Sequence, residues 1–400
     1  MPHDISLIST LAVGLGLALI GGFIAVRLRL PPLVGYLVAG IAVGPFTPGF
    51  IADTRLAPQL AEIGVILLMF GVGMHFSVRD LLAVRGIALP GAVAQIVAAT
   101  AMGAGVAALW GWPLGAGLVL GLALSVASTV VLLRALEATG RLETDDGRIA
   151  VGWLIVEDLV IVLALVLLPA LAGPLGGAGD STGTGGLWET LGLTLGKVAL
   201  FVALMLVLGT RLFPWLLAQV ESTGSRELFT LAVVSLAIGV AFGSAELFGV
   251  SLALGAFFAG VVINESDLSH RAARDLQALQ DAFAVLFFVA VGMLFDPAVL
   301  LGQPLRVLAV VAIIVVGKSL AALGIVLALR RPLRTALVVA AALAQIGEFS
   351  FILAGLGIHL GLLPPDGQSL IVAGALLSIA LNPLVFLGVE RIGTRNARPA

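Results

Sequence analysis

The stretch "LSVASTVVLLRAL", Leu124 to Leu136, places Ser125, Ser128 and Thr129 inside an otherwise apolar segment. A second apolar segment is interrupted by "AQIGEF", Ala344 to Phe349, where a glycine precedes an acid. Each pattern predicts a helix that is broken in its middle. Broken backbone leaves N–H and C=O groups without helical partners, so its meaning depends on the solvent that surrounds the chain.

The composition indicates that this solvent is lipid. Hydrophobic residues make up 60% of the 400 residues, charged residues only 11%, and the mean hydropathy is +1.17, whereas about a quarter of a soluble domain is charged. The formal net charge of −2 gives no indication of nucleic-acid binding. The chain has no cysteine, which excludes disulfides, thiolate metal sites and thiol catalysis. The sequence therefore predicts an all-α membrane protein.

A transmembrane helix needs about 20 apolar residues, and the chain contains about thirteen such segments. The predicted spans are 5–26, 31–46, 56–74, 87–109, 114–137, 149–170, 188–213, 225–243, 246–263, 282–295, 304–329, 335–359 and 368–390. Segments 31–46 and 282–295 are short for this role. The first segment is followed, not preceded, by basic residues, which predicts a retained span and not a cleavable signal peptide.

The arginines predict the orientation of these spans. With the N-terminus outside, one set of loops contains Arg27, Arg29, Arg79, Arg85, Arg141, Arg148, Arg226, Arg271, Arg274, Arg330, Arg331, Arg334, Arg391, Arg395 and Arg398. The other set contains Arg55, with Arg306 just inside its span. Because cytoplasmic loops are rich in basic residues, we expect a multi-pass membrane protein with its N-terminus outside and its C-terminus cytoplasmic. The Gly/Ser/Thr-rich segment 172–186 is predicted to be a flexible outer loop.

Two adjacent acids, Glu157 and Asp158, lie near the middle of the predicted span 149–170. A carboxylate at the bilayer centre costs at least about 2.5 kcal/mol on insertion scales. A single buried acid has a structural explanation, namely a neighbouring helix that neutralises it. Adjacent residues on a helix, however, point about 100° apart, so two acids need two different partners. One acid is therefore expected to face a cavity and the other a neighbouring helix.

Further polar residues are expected at the same depth. Lys318 lies near the middle of the eleventh predicted span, Gln345 and Glu348 lie midway along the twelfth, and the three hydroxyl residues lie in the fifth. Each has a structural alternative: a lysine can pair with an acid, Glu348 can cap a break, and hydroxyls often bond to carbonyls of their own helix. Their common depth favours an ion-binding site with these residues in supporting roles.

The two interrupted segments have opposite directions in the membrane, since the fifth and twelfth spans are seven apart. A matched pair of interrupted helices with inverted topology is typical of secondary transporters. The ends of the half-helices bring N–H dipoles and free carbonyls to the midplane. The acids and the lysine lie in the sixth and eleventh spans, next to these two in the chain. The sequence therefore predicts a secondary transporter with an ion site at mid-membrane.

These residues also carry a family resemblance. The chain resembles the bacterial monovalent cation:proton antiporter-2 family, the Kef-type and YbaL-like potassium/proton antiporters. The segments that carry it are "AEIGVILLMFGVGMHF" (Ala61–Phe76), "LSVASTVVLLRAL" (Leu124–Leu136), "WLIVEDL" (Trp153–Leu159), "GKSLAA" (Gly317–Ala322) and "AQIGEFSFILA" (Ala344–Ala354). The likeness covers essentially the whole chain, and the motifs occur in the family's order and spacing.

The resemblance implies a sodium/proton-antiporter-like fold of thirteen helices with inverted repeats and two broken crossing helices. Residues 1–400 would form a single transmembrane antiporter domain that exchanges potassium for protons by alternating access. Its parts would be core helices at about 87–170 and 304–390, scaffold and dimer-forming helices at about 5–74 and 225–295, and a linker helix at about 188–213.

The resemblance also implies roles for three residues. Asp158 matches the acid that binds the transported potassium (or sodium) and the proton, Glu157 matches the position before it, and Lys318 matches a core lysine that can pair with Glu157. Family members usually continue into a cytoplasmic nucleotide-binding domain of Rossmann type. No G-x-G-x-x-G opens a soluble βαβ unit here, so this domain is expected to be absent from the chain.

The expected partners are membrane lipid and a second copy in a homodimer, which small-residue-rich stretches such as "LAVGLGLALIGG" (11–22) also favour. No nucleic acid is expected, nucleotide is expected only through the regulatory domain, and no cofactor is expected beside the transported potassium and protons.

Three alternatives differ from this interpretation. An intramembrane enzyme is disfavoured, and no catalytic residue is assigned, because Asp158 is the only aspartate deep in a span and no H-E-x-x-H motif is present. A passive cation channel would share the acid lining but would not need broken inverted helices. A sodium/proton antiporter of the same fold fits the residues equally well, because one carboxylate with hydroxyls and carbonyls binds either ion. The family resemblance favours potassium.

Overall fold

The computed structural model describes residues 6–48, 51–53, 55–75, 78–177 and 187–395. In these ranges all regular structure is helical. The helices are α1 (Ser6–Arg27), α2 (Pro32–Val43), α3 (Leu56–His75), α4 (Val78–Leu109), α5 (Leu114–Ser125), α6 (Thr129–Ala138), α7 (Asp145–Leu171), α8 (Leu187–Leu204), α9 (Thr210–Glu221), α10 (Arg226–Phe248), α11 (Leu252–Asn264), α12 (Ser269–Met293), α13 (Ala298–Gly302), α14 (Pro304–Ala312), α15 (Lys318–Ala328), α16 (Leu333–Ala342), α17 (Glu348–His359) and α18 (Pro365–Arg395). Two π-helical segments, Met205–Gly209 and Ile313–Gly317, join α8 to α9 and α14 to α15.

The fold-class prediction is confirmed, since each of the thirteen predicted spans coincides with one helix or one pair of helices. Ten described spans are long and apolar enough to cross a membrane, and α2, α11 and the pair α16–α17 are the shorter apolar helices that complete the set. The predicted span 282–295 is short because it leaves out the first part of α12. This helix begins at Ser269 with a polar stretch, which a search for apolar segments does not include. Residues 178–186 of the predicted outer loop lie outside the described residues.

Local signals in the sequence set the helix ends. The hydroxyl of Ser225 accepts a hydrogen bond from Leu228 N (3.2 Å) at the start of α10, and that of Ser251 accepts one from Leu254 N (3.3 Å) at the start of α11. Such caps satisfy N–H groups that have no partner in the helix. Between these helices Gly249 has φ of 65°, the left-handed conformation that commonly ends a helix. A three-residue connection is therefore enough to reverse the chain.

The helices pack in two groups. We call α1–α3 and α10–α12 the α3 group, in which α3 packs along α11 and α12, and α2 along α1 and α12. We call α4–α7 and α13–α18 the α7 group, in which α4 packs along α5 and α7, and α15 along α4 and α16. The helix formed by α8 and α9 contacts members of both groups.

Glycines bring helices within each group into main-chain contact. A β-carbon at these positions would overlap a neighbouring main chain, and small residues of this kind let helices approach closely in lipid. The facing pairs are Gly21–Gly35, Gly40–Gly292 and Gly73–Gly260 in the α3 group, and Gly103–Gly121 in the α7 group. Among the described glycines, none makes such a contact from one group to the other. Each group is therefore tightly interlocked inside itself.

Bulky apolar side chains occupy the boundary between the two groups. Phe287 and Phe288 of α12 lie against Phe351 of α17, with ring centroids 6.3 and 6.4 Å away. All three rings are buried. These aromatic contacts between the groups thus differ from the glycine contacts that bring main chains together inside each group.

The helix ends that bear arginine lie on one side of the molecule, which we call the arginine-rich face. The ends of α6, α9, α11 and α15, and the starts of the helices that follow them, lie on this side. Ion pairs link several of these ends, among them Arg271–Glu221 (2.8 Å), Arg226–Asp275 (3.4 Å) and Arg334–Asp146 (3.5 Å).

Candidate functional site

Two broken helices cross inside the α7 group, as the sequence predicts. The first break separates α5 from α6 and comprises residues 126–128, and the second separates α16 from α17 and comprises residues 343–347. Gly347 lies so close to Ser128 that a β-carbon on the glycine would overlap the Ser128 main chain. We call this point of contact the crossover.

Gln345 satisfies the main chain of the opposite break. Its Oε1 accepts a hydrogen bond from Ser128 N (2.8 Å), and its Nε2 donates to Ser128 O and to Ala342 O (3.2 Å each). Gln345 is fully buried. Because an unsatisfied main-chain group inside a membrane costs several kcal/mol, this amide holds the two breaks against each other.

Other buried or half-buried side chains bond carbonyl groups close to the breaks. These hydrogen bonds are Ser350 Oγ to Ala123 O (2.6 Å), Gln95 Nε2 to Ser125 O (3.1 Å), Asn382 Nδ2 to Ala341 O (2.9 Å) and Ser319 Oγ to Ala340 O (3.1 Å). The sequence analysis missed Gln95 and Asn382. Both are amides inside apolar spans, and this isolation in an apolar sequence was the signal that could have found them.

The two acids of α7 point to different surroundings, as their spacing predicts. Glu157 and Asp158 are residues 13 and 14 of this 27-residue helix. Glu157 is fully buried and its Oε2 accepts a hydrogen bond from Ala127 N (2.9 Å) in the first break. Asp158 Oδ2 lies 3.5 Å from the hydroxyl of Thr129, and Asp158 lines a cavity. Glu157 therefore supports the crossover, whereas Asp158 is placed to meet a ligand.

Lys318 is fully buried, but it does not form the expected ion pair with Glu157. Its Nζ donates to Gln345 O (3.1 Å), and Glu157 Oε1 has no hydrogen-bond partner among the described residues. The break after α16 leaves the Gln345 carbonyl without a helical partner, and this carbonyl takes the ammonium group. Glu157 and Lys318 interact electrostatically over a longer distance.

A π-helical segment, Ile313–Gly317, directly precedes Lys318. Such segments add a residue to one helical turn and often occur at functional sites. The added residue changes the direction in which the following side chain leaves the helix. Lys318 thereby faces the crossover, although the sequence gives no signal for the π segment.

The three predicted hydroxyl residues differ in what they bind. Ser125 Oγ donates to Leu122 O (2.7 Å) of its own helix, which is the structural alternative considered above. Ser128 caps α6, accepting a hydrogen bond from Val131 N (3.4 Å). Only Thr129 of the three lines the cavity with Asp158.

The cavity has a volume of about 620 Å³ and lies between the two helix groups. The α7 group contributes Thr129, Asp158, Glu348 and Arg134, and the α3 group contributes apolar residues with Gln277, Gln280 and Asp281. The side chains of Arg134, Gln277 and Asp281 are exposed and lie toward the arginine-rich face. The cavity therefore leads from that face toward the crossover.

Aromatic side chains pack near the crossover, at the boundary between the two helix groups. Phe351 lies one turn into α17, past Glu348, and Phe288 packs against it while also lining the cavity. A second cavity of about 730 Å³ is lined by other residues, among them Asp296, Gln303 and Asp366.

Two crossing broken helices with a buried acid that lines a cavity define the class of membrane transporters built on discontinuous helices. The chain belongs to the sodium/hydrogen exchanger family, whose transmembrane model matches residues 15–387.

Individual relatives cover most of the chain. It is 61% identical over 393 residues to YbaL of Escherichia coli (strain K12), a provisionally named cation/proton antiporter, covering 98% of this chain and 70% of that protein. It is 33% identical to K(+) efflux antiporter 4 of Arabidopsis thaliana, covering 96% of this chain and 64% of that protein. The solved structure of the sodium proton antiporter MjNhaP1 from Methanocaldococcus jannaschii has the same fold, with a TM-score of 0.74 at 16% identity over 96% of this chain and 99% of that one.

We expect Lys318→Ala to lower the melting temperature of the purified protein more than Glu157→Gln does. The first change leaves the buried Gln345 carbonyl without its donor, and such a loss costs about 1–3 kcal/mol. The glutamine in the second change keeps an oxygen that accepts from Ala127 N. Thermal unfolding in detergent measures both, with Lys197→Ala as the control because this exposed lysine is the only other one in the chain. A melting temperature of Lys318→Ala equal to that of the wild type would contradict the assignment.

Proposed function

We propose that the protein is a secondary active transporter that exchanges a monovalent cation for protons. One observation carries this proposal: the carboxylate of Asp158 is almost fully buried, yet it lines a cavity that reaches one face of the molecule. A proton and a cation exclude one another at one carboxylate, so the binding of either is linked to the release of the other. The names of the relatives, a cation/proton antiporter and a sodium proton antiporter, support the same exchange.

We propose potassium as the cation. The plant relatives, which match almost the whole chain, are named K(+) efflux antiporters, and this supports potassium. Sodium is the second candidate, since the family name and MjNhaP1 refer to sodium. The test uses proteoliposomes that contain a pH dye and are challenged in turn with potassium, sodium and lithium. A potassium gradient that drives protons uphill supports the proposal. A response to sodium alone would mean that sodium, and not potassium, is the transported cation. Cation flux that never moves protons uphill indicates a channel.

We propose that exchange proceeds by an elevator-like form of alternating access. The α7 group, residues of about 87–170 and 304–390, would be the moving core that carries Asp158. The α3 group, about 5–74 and 225–295, would be the scaffold, and the helix of about 188–213 would link the two. The glycine contacts inside each group and the bulky side chains between the groups support this division. The bare carboxylate is too costly to carry across lipid, so the core crosses only with Asp158 protonated or bound to a cation.

The arginine-rich face is proposed to be cytoplasmic, in the inner membrane of a bacterium, which places the N-terminus outside. Any control by nucleotide is proposed to act through a domain outside these 400 residues. The excess of arginine on one side supports the orientation.

We expect the protein to form a homodimer through the α3 group. The α1 helix presents a large apolar surface, with Leu19, Ile20 and Phe23 each more than half exposed, which suits either lipid or a second copy. Native mass spectrometry in mild detergent should show a dimer over a range of protein concentrations. Monomer alone at every concentration would refute the expectation.

A further inference from the structure

Glu348 is a second carboxylate in the wall of the cavity that contains Asp158. It is the first residue of α17, directly after Gly347 at the crossover, and its exposed fraction is 1%. Asp158, on α7, has an exposed fraction of 6%. Two acids from helices far apart in the chain therefore meet one cavity at the middle of the membrane.

Each of these acids has one oxygen free for a ligand. Asp158 Oδ1 and Glu348 Oε2 are buried, and neither has a hydrogen-bond partner among the described residues. The other oxygen of Asp158 is next to the hydroxyl of Thr129, and Glu348 lies beside Ser128 and Thr129 at the start of α6. The two carboxyl groups also interact electrostatically with each other. Two unpaired acceptors and one hydroxyl thus line the same cavity.

Among the described residues, no cationic side chain is bonded to the free oxygen of either acid. Lys318 is bonded to Gln345 O beyond the crossover, and Arg134 is exposed at the mouth of the cavity, opposite Asp281. Glu157 adds negative charge from the same helix as Asp158. Of the other helices that pack on α17, α5 has no ionisable side chain, and those of α18 lie near its two ends.

The main chain supplies only part of the missing positive charge. The helices α6 and α17 both begin at the crossover, so their N-termini meet the two acids. A helix N-terminus is equivalent to roughly half a positive charge. Two carboxylates so close together in a low-dielectric site cannot both stay ionised without a counter-charge. A proton or a cation has to complete the site.

We infer that Asp158 and Glu348 form a two-carboxylate cation site, in which both acids and the Thr129 hydroxyl bind the transported ion. This inference rests on the proposed antiport and specifies the ligands of its cation. The cation-free site holds two protons, and the loaded site holds one cation and one proton. Both states are neutral, so one cation exchanges for one proton although two acids bind it. Oxygen ligands of this kind suit a hard monovalent cation.

The test compares Glu348→Gln, Glu348→Asp and the wild type in proteoliposomes with a pH dye. Glu246→Gln is the control, because Glu246 is exposed on α10, far from the cavity in the fold. For Glu348→Gln we expect the KM for potassium to rise at least tenfold, with the maximal rate at saturating potassium within threefold of the wild type. Aspartate should restore part of the affinity. A purely structural role would lower the maximal rate or the amount of monodisperse protein and leave KM unchanged.

A KM of Glu348→Gln within twofold of the wild-type value would overturn the inference. If Glu348→Gln is not monodisperse, the same comparison is made with Glu348→Asp. For this variant we expect the KM for potassium to rise approximately threefold, and an unchanged KM would overturn the inference. The stabilisation of the detergent-purified protein by potassium tests the ligands without transport, since it should be present in the wild type and lost in Glu348→Gln. If the wild type binds potassium but moves no protons, the proposed antiport fails while the two-carboxylate site stands.

Discussion

Replacing Asp158 by asparagine is expected to reduce exchange to the leak of protein-free liposomes. Asparagine has the same size and keeps an oxygen for the Thr129 hydroxyl, but it neither ionises nor takes up a proton. Without the charge, proton and cation no longer compete at this position, and coupling disappears. The measurement is the dye response of proteoliposomes to a potassium gradient, combined with size-exclusion chromatography to show that the variant is folded.

Asp145→Asn is the matched control for this variant. Asp145 lies in the first turn of the same helix, α7, and is exposed at the arginine-rich face. The control should exchange at the wild-type rate. Wild-type exchange by Asp158→Asn would place the coupling at another acid, with Glu348 as the next candidate.

The proposed competition at Asp158 also predicts how the wild type responds to pH. At pH values where the cation-free carboxyl group is protonated, each unit by which the pH falls raises the proton concentration tenfold. Because a single proton competes with a single cation, the apparent cation affinity should weaken about tenfold per unit. At higher pH, where no proton has to leave, the dependence should flatten. A KM for potassium that is constant across the acidic range would contradict competition at one group.

The second large effect is expected from Gly347→Ala. The added methyl group would overlap the main chain of Ser128, which cannot rotate away as a side chain could. Overpacking of this kind costs about 1–3 kcal/mol and shifts the backbone. Moving the breaks apart would lengthen the hydrogen bonds between Gln345 and Ser128 (2.8 and 3.2 Å) and displace Glu348. We expect a lower melting temperature and loss of most of the exchange.

Gly105→Ala provides the comparison for the crossover variant. Gly105 lies in α4 of the same group, and a β-carbon at this position would meet no atom within 4 Å. It should therefore melt and transport like the wild type, or melt slightly higher because alanine favours helix. If Gly347→Ala behaves like Gly105→Ala, the close contact at the crossover is not needed for the site.

The helices and their interruptions could be predicted from the sequence because lipid imposes a simple rule. Every main-chain group has to be satisfied within the membrane, so apolar length predicts helices, and polar residues inside it predict breaks. The breaks at 126–128 and 343–347 follow directly from "SVAST" and "AQIGEF". The π segment before Lys318 could not be predicted, because its residues, Ile313–Gly317, are as apolar as those of an ordinary helix.

The structure buries Glu157, Asp158 and Lys318, but the expected pairing of Lys318 with Glu157 is wrong. The sequence predicted one common depth in the membrane for Glu157, Asp158 and Lys318, because the depth of a residue follows from its position within its span. Pairing depends on which carbonyls the breaks release, and these are visible only in three dimensions. Lys318 therefore bonds to Gln345 O and not to Glu157, and Ser125 bonds within its own helix. The role of Gln95 at the first break depends on the same local geometry.

The glycine contacts inside each helix group have a consequence for two properties of the proposed transporter, its turnover speed and its ion preference. Where main chains touch, helices cannot bend individually, so in the proposed cycle each group moves as one body. The energy barrier of that movement then arises at the boundary, where Phe287, Phe288 and Phe351 pass one another. Ion preference arises at the crossover, among polar side chains. In the proposed cycle, turnover speed and ion preference would therefore be encoded by different residues, and natural variation could adjust one of them while the other stays fixed.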